Sequence, residues 1–249
     1  MPVVEIVTIA ERPDLADLLW DFPAAWPDFM YQDPTSDLYY AEAASAYAEF
    51  AMLALDDGRP VARSFSAPLA WDGDPTDRLP EGGWDWAIRT AYATRSSGDR
   101  PTLVSALEIT IQVDRRGTGL AAVVLDAMCR NVARLGFGDL VAPVRPNAKT
   151  AHQDEPMSTY AYRTRSDGLP EDPWLRVHAR ARGRIVNVAP VSMTVPGTLA
   201  QWREWTGLPF DTAGPVRVPD ALVPVLCQPD HDFAVYVEPN VWMHHSTGG

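Results

Sequence analysis

The stretch LEITIQVDRRGTGLAAVVLDAMCRNVARLGFGDLVAPV, residues 107–144, constrains the fold more than any other part of the chain. Its first part is rich in β-branched residues and reads as a strand over 103–113. A turn carrying Gly117 and Gly119 follows. A long helix then runs over about 118–135 and stops at Gly136, where glycine suits a helix end. LVAPV, residues 140–144, is a further short strand.

The turn points to an anion. Glycine at 117 and 119 lets backbone N–H groups approach a ligand closely. The start of the following helix aims its free N–H groups and positive dipole at the same place, which suits a phosphate. Arg115 and Arg116 sharpen this. A cation at a helix N-terminus is disfavoured by roughly 0.3–1 kcal/mol, so two of them there make sense if an anion binds between them and the helix. Two arginines pointing into solvent are the competing reading. Gly117-x-Gly119-x-x-Ala122 also fits a loose dinucleotide fingerprint. That motif wants an acidic residue at the end of the next strand, whereas Asp139 precedes that strand. A P-loop would need Gly-Lys-Ser/Thr after the glycines, and the sequence has none.

The rest of the chain alternates strands and helices. VVEIVTIA reads as a strand, and a helix follows from Pro13 with Leu15, Leu18, Leu19 and Phe22 at helical spacing. Residues 37–50 read as a helix. Two strand-like runs flank Asp56-Asp57-Gly58-Arg59, a hairpin signal. A loop over 72–83 leads to a short helix over 84–92. Beyond Pro143 the chain is less regular, and prolines, 23 in all, are about twice as frequent as average. Helices are expected over 172–181 and 198–205, and strands over 184–195, 221–227 and 233–237. Interleaved strands and helices with hairpins predict an α/β chain with a mixed sheet and helices on its faces.

Composition narrows the partners. The 249 residues are 46% hydrophobic, enough for a packed core. The net charge of −12 repels phosphate backbones, so no nucleic-acid partner is expected. The same charge would attract a cationic acceptor such as an amine, or it serves only solubility. Two cysteines, Cys129 and Cys227, form no disulfide or zinc pattern, and no metal is expected. His244-His245 reads as a surface tail. No basic segment leads into a long apolar stretch at the N-terminus, and no run approaches the ~20 apolar residues of a membrane span, so no membrane partner is expected and the cytoplasm is the expected location.

Arg116-Gly117-Thr118-Gly119-Leu120-Ala121 resembles the pyrophosphate turn of GNAT acetyltransferases, Q/R-x-x-G-x-G/A, between the fourth strand and third helix of that fold. The order of elements from the first strand to Val144 is similar as well. The resemblance implies a GNAT-like domain over 1–190 with a C-terminal extension, 191–249, packed on it as a lid, a dimer surface in a homodimer, or part of the pocket. It implies acetyl-CoA or another acyl-CoA as co-substrate and a small-molecule amine as acceptor. Ile111, Gln112 and Val113 would offer backbone groups to the pantetheine arm. Arg116 to Ala121 would hold the pyrophosphate beside Arg115. Asn147 stands where many members place an asparagine near the cofactor.

Acyl transfer needs a base for the amine proton and an acid for the leaving thiolate. Strand alternation puts Leu107, Ile109, Ile111 and Val113 on one face, and Glu108, Thr110 and Gln112 on the other. A carboxylate on a covered strand is costly unless it faces a wet cleft, and Glu108 resembles the glutamate that many members use as base. A solvent-facing glutamate is the alternative. His178, on the helix before Gly183, stands near the place of the family's tyrosine acid and is able to play either role; a packing histidine is its alternative. Tyr160, with Tyr162, is a further candidate. The nine tryptophans read as core packing. A non-catalytic acyl-CoA sensor and a CoA-dependent hydrolase or decarboxylase are the other readings of the same turn.

Overall fold

A computed structural model describes residues 4–22 and 26–248. In chain order the elements are β1 (Glu5–Thr8), α1 (Pro34–Ala46), β2 (Ala51–Asp56), β3 (Arg59–Leu69), α2 (Gly83–Ser97), β4 (Leu103–Ile111), α3 (Leu120–Arg134), β5 (Asp139–Val144), α4 (Met157–Tyr160), α5 (Pro173–Arg180), β6 (Arg184–Gly197), α6 (Leu199–Thr206), β7 (Gly214–Val216), β8 (Val225–Gln228) and β9 (Phe233–Ser246). Short 3-10 turns fill Pro13–Trp20, Asp28–Gln32, Val113–Arg115 and Asn147–His152.

The mixed α/β architecture expected from the sequence is present. One nine-stranded sheet runs in the order β1-β2-β3-β4-β5-β9-β8-β7, with β6 also paired to β9. All its pairs are antiparallel except β4 with β5. The hairpin at Asp57-Gly58 has both residues at positive φ, 50° and 80°, the geometry that matches strand twist in a two-residue turn. Asp33 caps α1 by accepting from the Ser36 amide at 2.8 Å.

The two sheet faces have separate cores. Leu103, Leu107, Val141 and Trp242 pack with Phe65, Trp84 and Ile88 on the face that α1 and α2 cover. Val104, Ala106, Leu140 and Ala142 pack with Met128 and Val132 of α3 on the other.

Residues 191–249 depart from the expected arrangement. The division at 190/191 falls inside β6, and β9 is a 14-residue strand hydrogen-bonded to β5, β6 and β8. Residues 191–249 thus carry a strand of the sheet itself. His244 and His245, expected in a surface tail, are buried in β9, because β5 and β6 flank that strand on both edges. The segment between β6 and β9 contributes its own cluster, with Trp202, Phe210 and Val225 around Tyr236 and Phe29. The first helical segment is a 3-10 turn, and Val3, expected in the first strand, lies outside the described residues. Among the described residues no helix is long and apolar enough to cross a membrane.

Candidate functional site

The parallel strands β4 and β5 are hydrogen-bonded only near their starts, at Val104 with Leu140 and Ser105 with Val141. Beyond Ser105 the pair opens, and the remaining backbone of β4 faces a cleft on its β5 side. The Gln112 amide is taken by the Val61 carbonyl on the β3 side, at 3.0 Å. Antiparallel pairing alternates, so Ile109 and Ile111 turn their amides and carbonyls toward the cleft. Of the three residues expected to offer backbone groups there, Ile111 has the right orientation, the Gln112 amide is already spent, and Val113 is exposed in the 3-10 turn that follows.

The cleft ends on the glycine turn. Gly117 and Gly119 have φ of 77° and 88°, and a Cβ built on either would meet no atom within 4 Å. Open space in front of two left-handed glycines, at a helix start without a side-chain cap, suits a phosphate group. Leu120 is buried and anchors the helix, and Ala121 follows it in the first turn. The Thr118 hydroxyl donates to the Arg115 carbonyl at 2.7 Å, which fixes the turn from within.

The two arginines differ. Arg115 turns back and ion-pairs with Asp56 of β2, and Arg59 pairs with Asp114 at 3.0 Å. The expectation that both Arg115 and Arg116 flank the anion is corrected: Arg115 is committed to a carboxylate. Arg116 is exposed and makes only a 3.5 Å contact to the Ile111 carbonyl. Asn147 is exposed at the open end of β5, opening the 3-10 turn after Pro146.

On the other face of β4 sits Glu108. A bulge opposite Phe65/Ser66 interrupts the register, so Leu107 joins the core under α1 and α2. The expected alternation, which put Leu107 with Ile109, fails there. The Glu108 side chain is 4% exposed and its Oε1 accepts from Arg63 Nε at 2.7 Å. Thr110 Oγ1 donates to the same oxygen at 2.5 Å, and the Tyr40 hydroxyl of α1 donates to Oε2. Arg63 lies over the rings of Trp20, Phe22 and Phe65. Burial, reinforced by the Glu108 charge, raises the Tyr40 phenol well above its ordinary value, so it stays protonated. Trp84, in the first turn of α2, donates its indole N–H to the Leu107 carbonyl at 2.9 Å and its amide to Ser192 Oγ at 2.8 Å. Ser192 continues to Asn240, whose amide reaches Glu238; Glu238 pairs with Arg145 at 2.9 Å. None of Tyr40, Arg63 or Trp84 was singled out from sequence. They come from three different elements and only the tertiary fold brings them to Glu108.

His178 and Tyr160 do not join this group. His178 is buried on α5, its Nδ1 2.9 Å from His245 Nε2. Since His245 pairs with Leu140, this contact lies at the closed end of the β4/β5 pair. Burial, and then the His245 neighbour, lowers His178 well below the usual imidazole range. Tyr160 is buried, and its hydroxyl donates to Asp172 Oδ2 at 3.0 Å. Asp172 in turn caps α5 through the Trp174 and Leu175 amides. Burial and the Asp172 charge raise the Tyr160 phenol, so it is a poor proton donor with a structural duty. Tyr162, by contrast, is exposed. Cys129 is pushed up to about 11 by burial, which leaves it a weak nucleophile. Among the described residues no three His, Cys, Asp or Glu side chains come together as metal ligands.

No protein-family model matches the chain. The arginine N-acetyltransferase avaD of Aspergillus versicolor is 31% identical over 275 residues, covering 98% of this chain and 94% of that protein. Among solved structures, the loading GNATL domain of CurA from Lyngbya majuscula has a TM-score of 0.58 at 14% identity, covering 98% of both chains. The GphF GNAT-like decarboxylase in complex with isobutyryl-CoA has a TM-score of 0.53 at 13% identity, covering 98% of this chain and 99% of that one. At these identities the two structures speak to the fold.

Proposed function

The chain belongs to the GNAT N-acetyltransferase superfamily and is an acyl-CoA-dependent N-acetyltransferase, and from that premise we propose that it transfers acetyl from acetyl-CoA to arginine or a close guanidine-bearing amine. The observation that carries this reading is the cleft between β4 and β5, which ends on the Gly117–Gly119 turn and has Glu108 behind it on the α1/α2 face. The full-length relative is named for arginine, and buried carboxylates on this face suit a cationic acceptor.

The pyrophosphate would rest on the glycine turn and the start of α3, with Arg116 beside it. The pantetheine would run along β4, against the backbone groups of Ile109 and Ile111, toward the bulge at Leu107. Asn147 stands at the rim of the same opening. The acceptor then approaches from the α1/α2 face. Glu108, ion-paired with Arg63, takes the ammonium proton directly or through one water. The free amine attacks the acetyl carbonyl, the C–N bond forms, the C–S bond breaks, and the thiolate leaves and is protonated. A cytoplasmic location goes with this reading.

The test is thiol release from acetyl-CoA with arginine, agmatine, lysine and spermidine offered separately. Arginine or agmatine should be the preferred acceptor. Turnover with lysine or spermidine but with neither guanidine would overturn the acceptor and leave the transferase.

A further inference from the structure

Four buried carboxylates lie on or beside the α1/α2 face, and two of them are answered by a cation. Glu108 has Arg63 and Glu238 has Arg145. Asp33 and Asp85 have each other. Asp33 is 0% and Asp85 8% exposed, and the Oδ1 atom of each is buried without a hydrogen-bond donor. Their remaining bonds are local. Asp33 Oδ2 caps α1 at Ser36, and the Thr35 side chain of the same turn favours the charged form of Asp85. The two carboxyl groups meet across the first turns of α1 and α2. Arg89 acts on Asp85 only at a distance, because its Nε is used on the Asp85 backbone carbonyl at 3.1 Å.

Two buried carboxylates in contact cannot both stay charged unless a cation lies between them. In the free protein a shared proton does this. A guanidinium does it better, since its planar fork offers several N–H donors to two acceptors at once. The pair is also held at the reactive strand. Asp85 follows Trp84, which is fixed at both ends, to Ser192 and to the Leu107 carbonyl beside Glu108. Gly83, just before, is packed so closely that a Cβ there would lie 2.1 Å from Ser192 Oγ. The first turn of α2 is therefore a rigid mount.

We propose that the Asp33–Asp85 pair is the subsite that receives the guanidinium of the acceptor, leaving its amino group to Glu108 and the acetyl carbonyl. This rests on the guanidine-bearing acceptor proposed above. It predicts discrimination against citrulline, whose urea replaces a donor by a carbonyl oxygen facing a carboxylate.

The experiment compares acetyl transfer to L-arginine and L-citrulline by the full chain, by Asp85→Asn and by Asp33→Asn, with acetyl-CoA titration as the folding control. Asparagine preserves the cap at position 33. Wild type should prefer arginine by about 100-fold or more in kcat/KM, since a site built on charge-assisted bonds rejects the analogue lacking them. In either variant KM for arginine should rise by about tenfold or more, a loss typical of removing one buried charge partner. The preference over citrulline should shrink with it, while acetyl-CoA affinity stays put. An unchanged arginine-to-citrulline ratio in both variants overturns the subsite while the acceptor reading stands. Equal loss on both substrates assigns the pair a structural role only and also overturns it. On wild type alone, methylguanidine should compete with arginine and methylurea should not. Equal inhibition by the two, or none by methylguanidine, counts against the subsite. A wild type that acetylates only amines without a guanidine removes the acceptor reading and the subsite together.

Discussion

Leu107 and Glu108 are adjacent in sequence and point to the same face of β4. The bulge opposite Phe65/Ser66 brings Leu107 round to that face, while Glu108 keeps the side it shares with Thr110 and lies against Tyr40 and Arg63. Glu108→Gln should lower kcat by about 10²- to 10⁴-fold, the usual range for a general base, with acetyl-CoA affinity unchanged in a calorimetric titration. Arg63→Met should act differently. It strands a buried carboxylate, and about 3–5 kcal/mol of stability should be lost in urea unfolding. A Gln variant with wild-type kcat would remove Glu108 from the chemistry.

Gly119→Val tests the phosphate turn. The residue sits at φ 88° with open space in front of it. A β-branched side chain there is strained by roughly 1–2 kcal/mol and projects where the pyrophosphate should lie. The variant should stay folded by circular dichroism and lose acetyl-CoA binding by about 10²-fold or more, as a blocked group of charge-assisted bonds implies. Arg116→Ala should weaken binding less, and Arg115→Ala should act through the Asp56 contact on stability instead.

Much of this architecture is legible in the sequence where the signal is local. The glycine turn, the helix after it and the Asp57-Gly58 hairpin follow from backbone conformations that only certain residues adopt easily. The bulge at Leu107 is not local, because it depends on how β3 pairs with β4. The two arginines look alike in sequence, yet Arg115 finds Asp56 on β2 and Arg116 does not. The last strand was expected over 233–237, with His244-His245 in a surface tail beyond it. In the fold, β5 and β6 cover both edges and bury them. Asp33 caps α1, and nothing in the chain order announces that Asp85 will face it.

The Asp33–Asp85 pair should also mark the pH dependence of stability. Asp85 is pushed up to about 8, chiefly by burial and then by the Asp33 charge, with Arg89 opposing. Asp33 is raised too, by burial and by Asp37. Between about pH 4 and 8 the folded chain keeps a proton that the unfolded chain has released, so stability falls as pH rises. The slope for one proton is at most about 1.4 kcal/mol per pH unit. Asp85→Asn carries no such proton, and its stability relative to wild type should grow from pH 4 to 8 in urea titrations. Parallel pH profiles for the two proteins would show that the pair does not hold its proton.

The buried His178–His245 contact should act in the opposite sense on the acid side. Burial lowers His245 to about 4 and His178 well below its ordinary value. An unfolded histidine titrates near 6.5. From about pH 6.5 down to 4 the unfolded chain takes up protons that the folded chain refuses, so stability is lost as pH falls through that window. The double variant His178→Leu/His245→Leu removes both sites and should flatten this part of the curve. At pH 7.5 both rings are neutral and lie at the closed end of the β4/β5 pair, so His178→Leu should leave kcat for acetyl transfer close to that of wild type. A large fall in kcat with unchanged unfolding would return His178 to the reaction and place proton transfer on the wrong side of the strand pair. Gly183→Ala should disturb the same contact from below, since its Cβ would come within 2.5 Å of the His245 ring and 2.9 Å of the His178 carbonyl. A cost of about 1–3 kcal/mol is expected from such overpacking, again with kcat preserved.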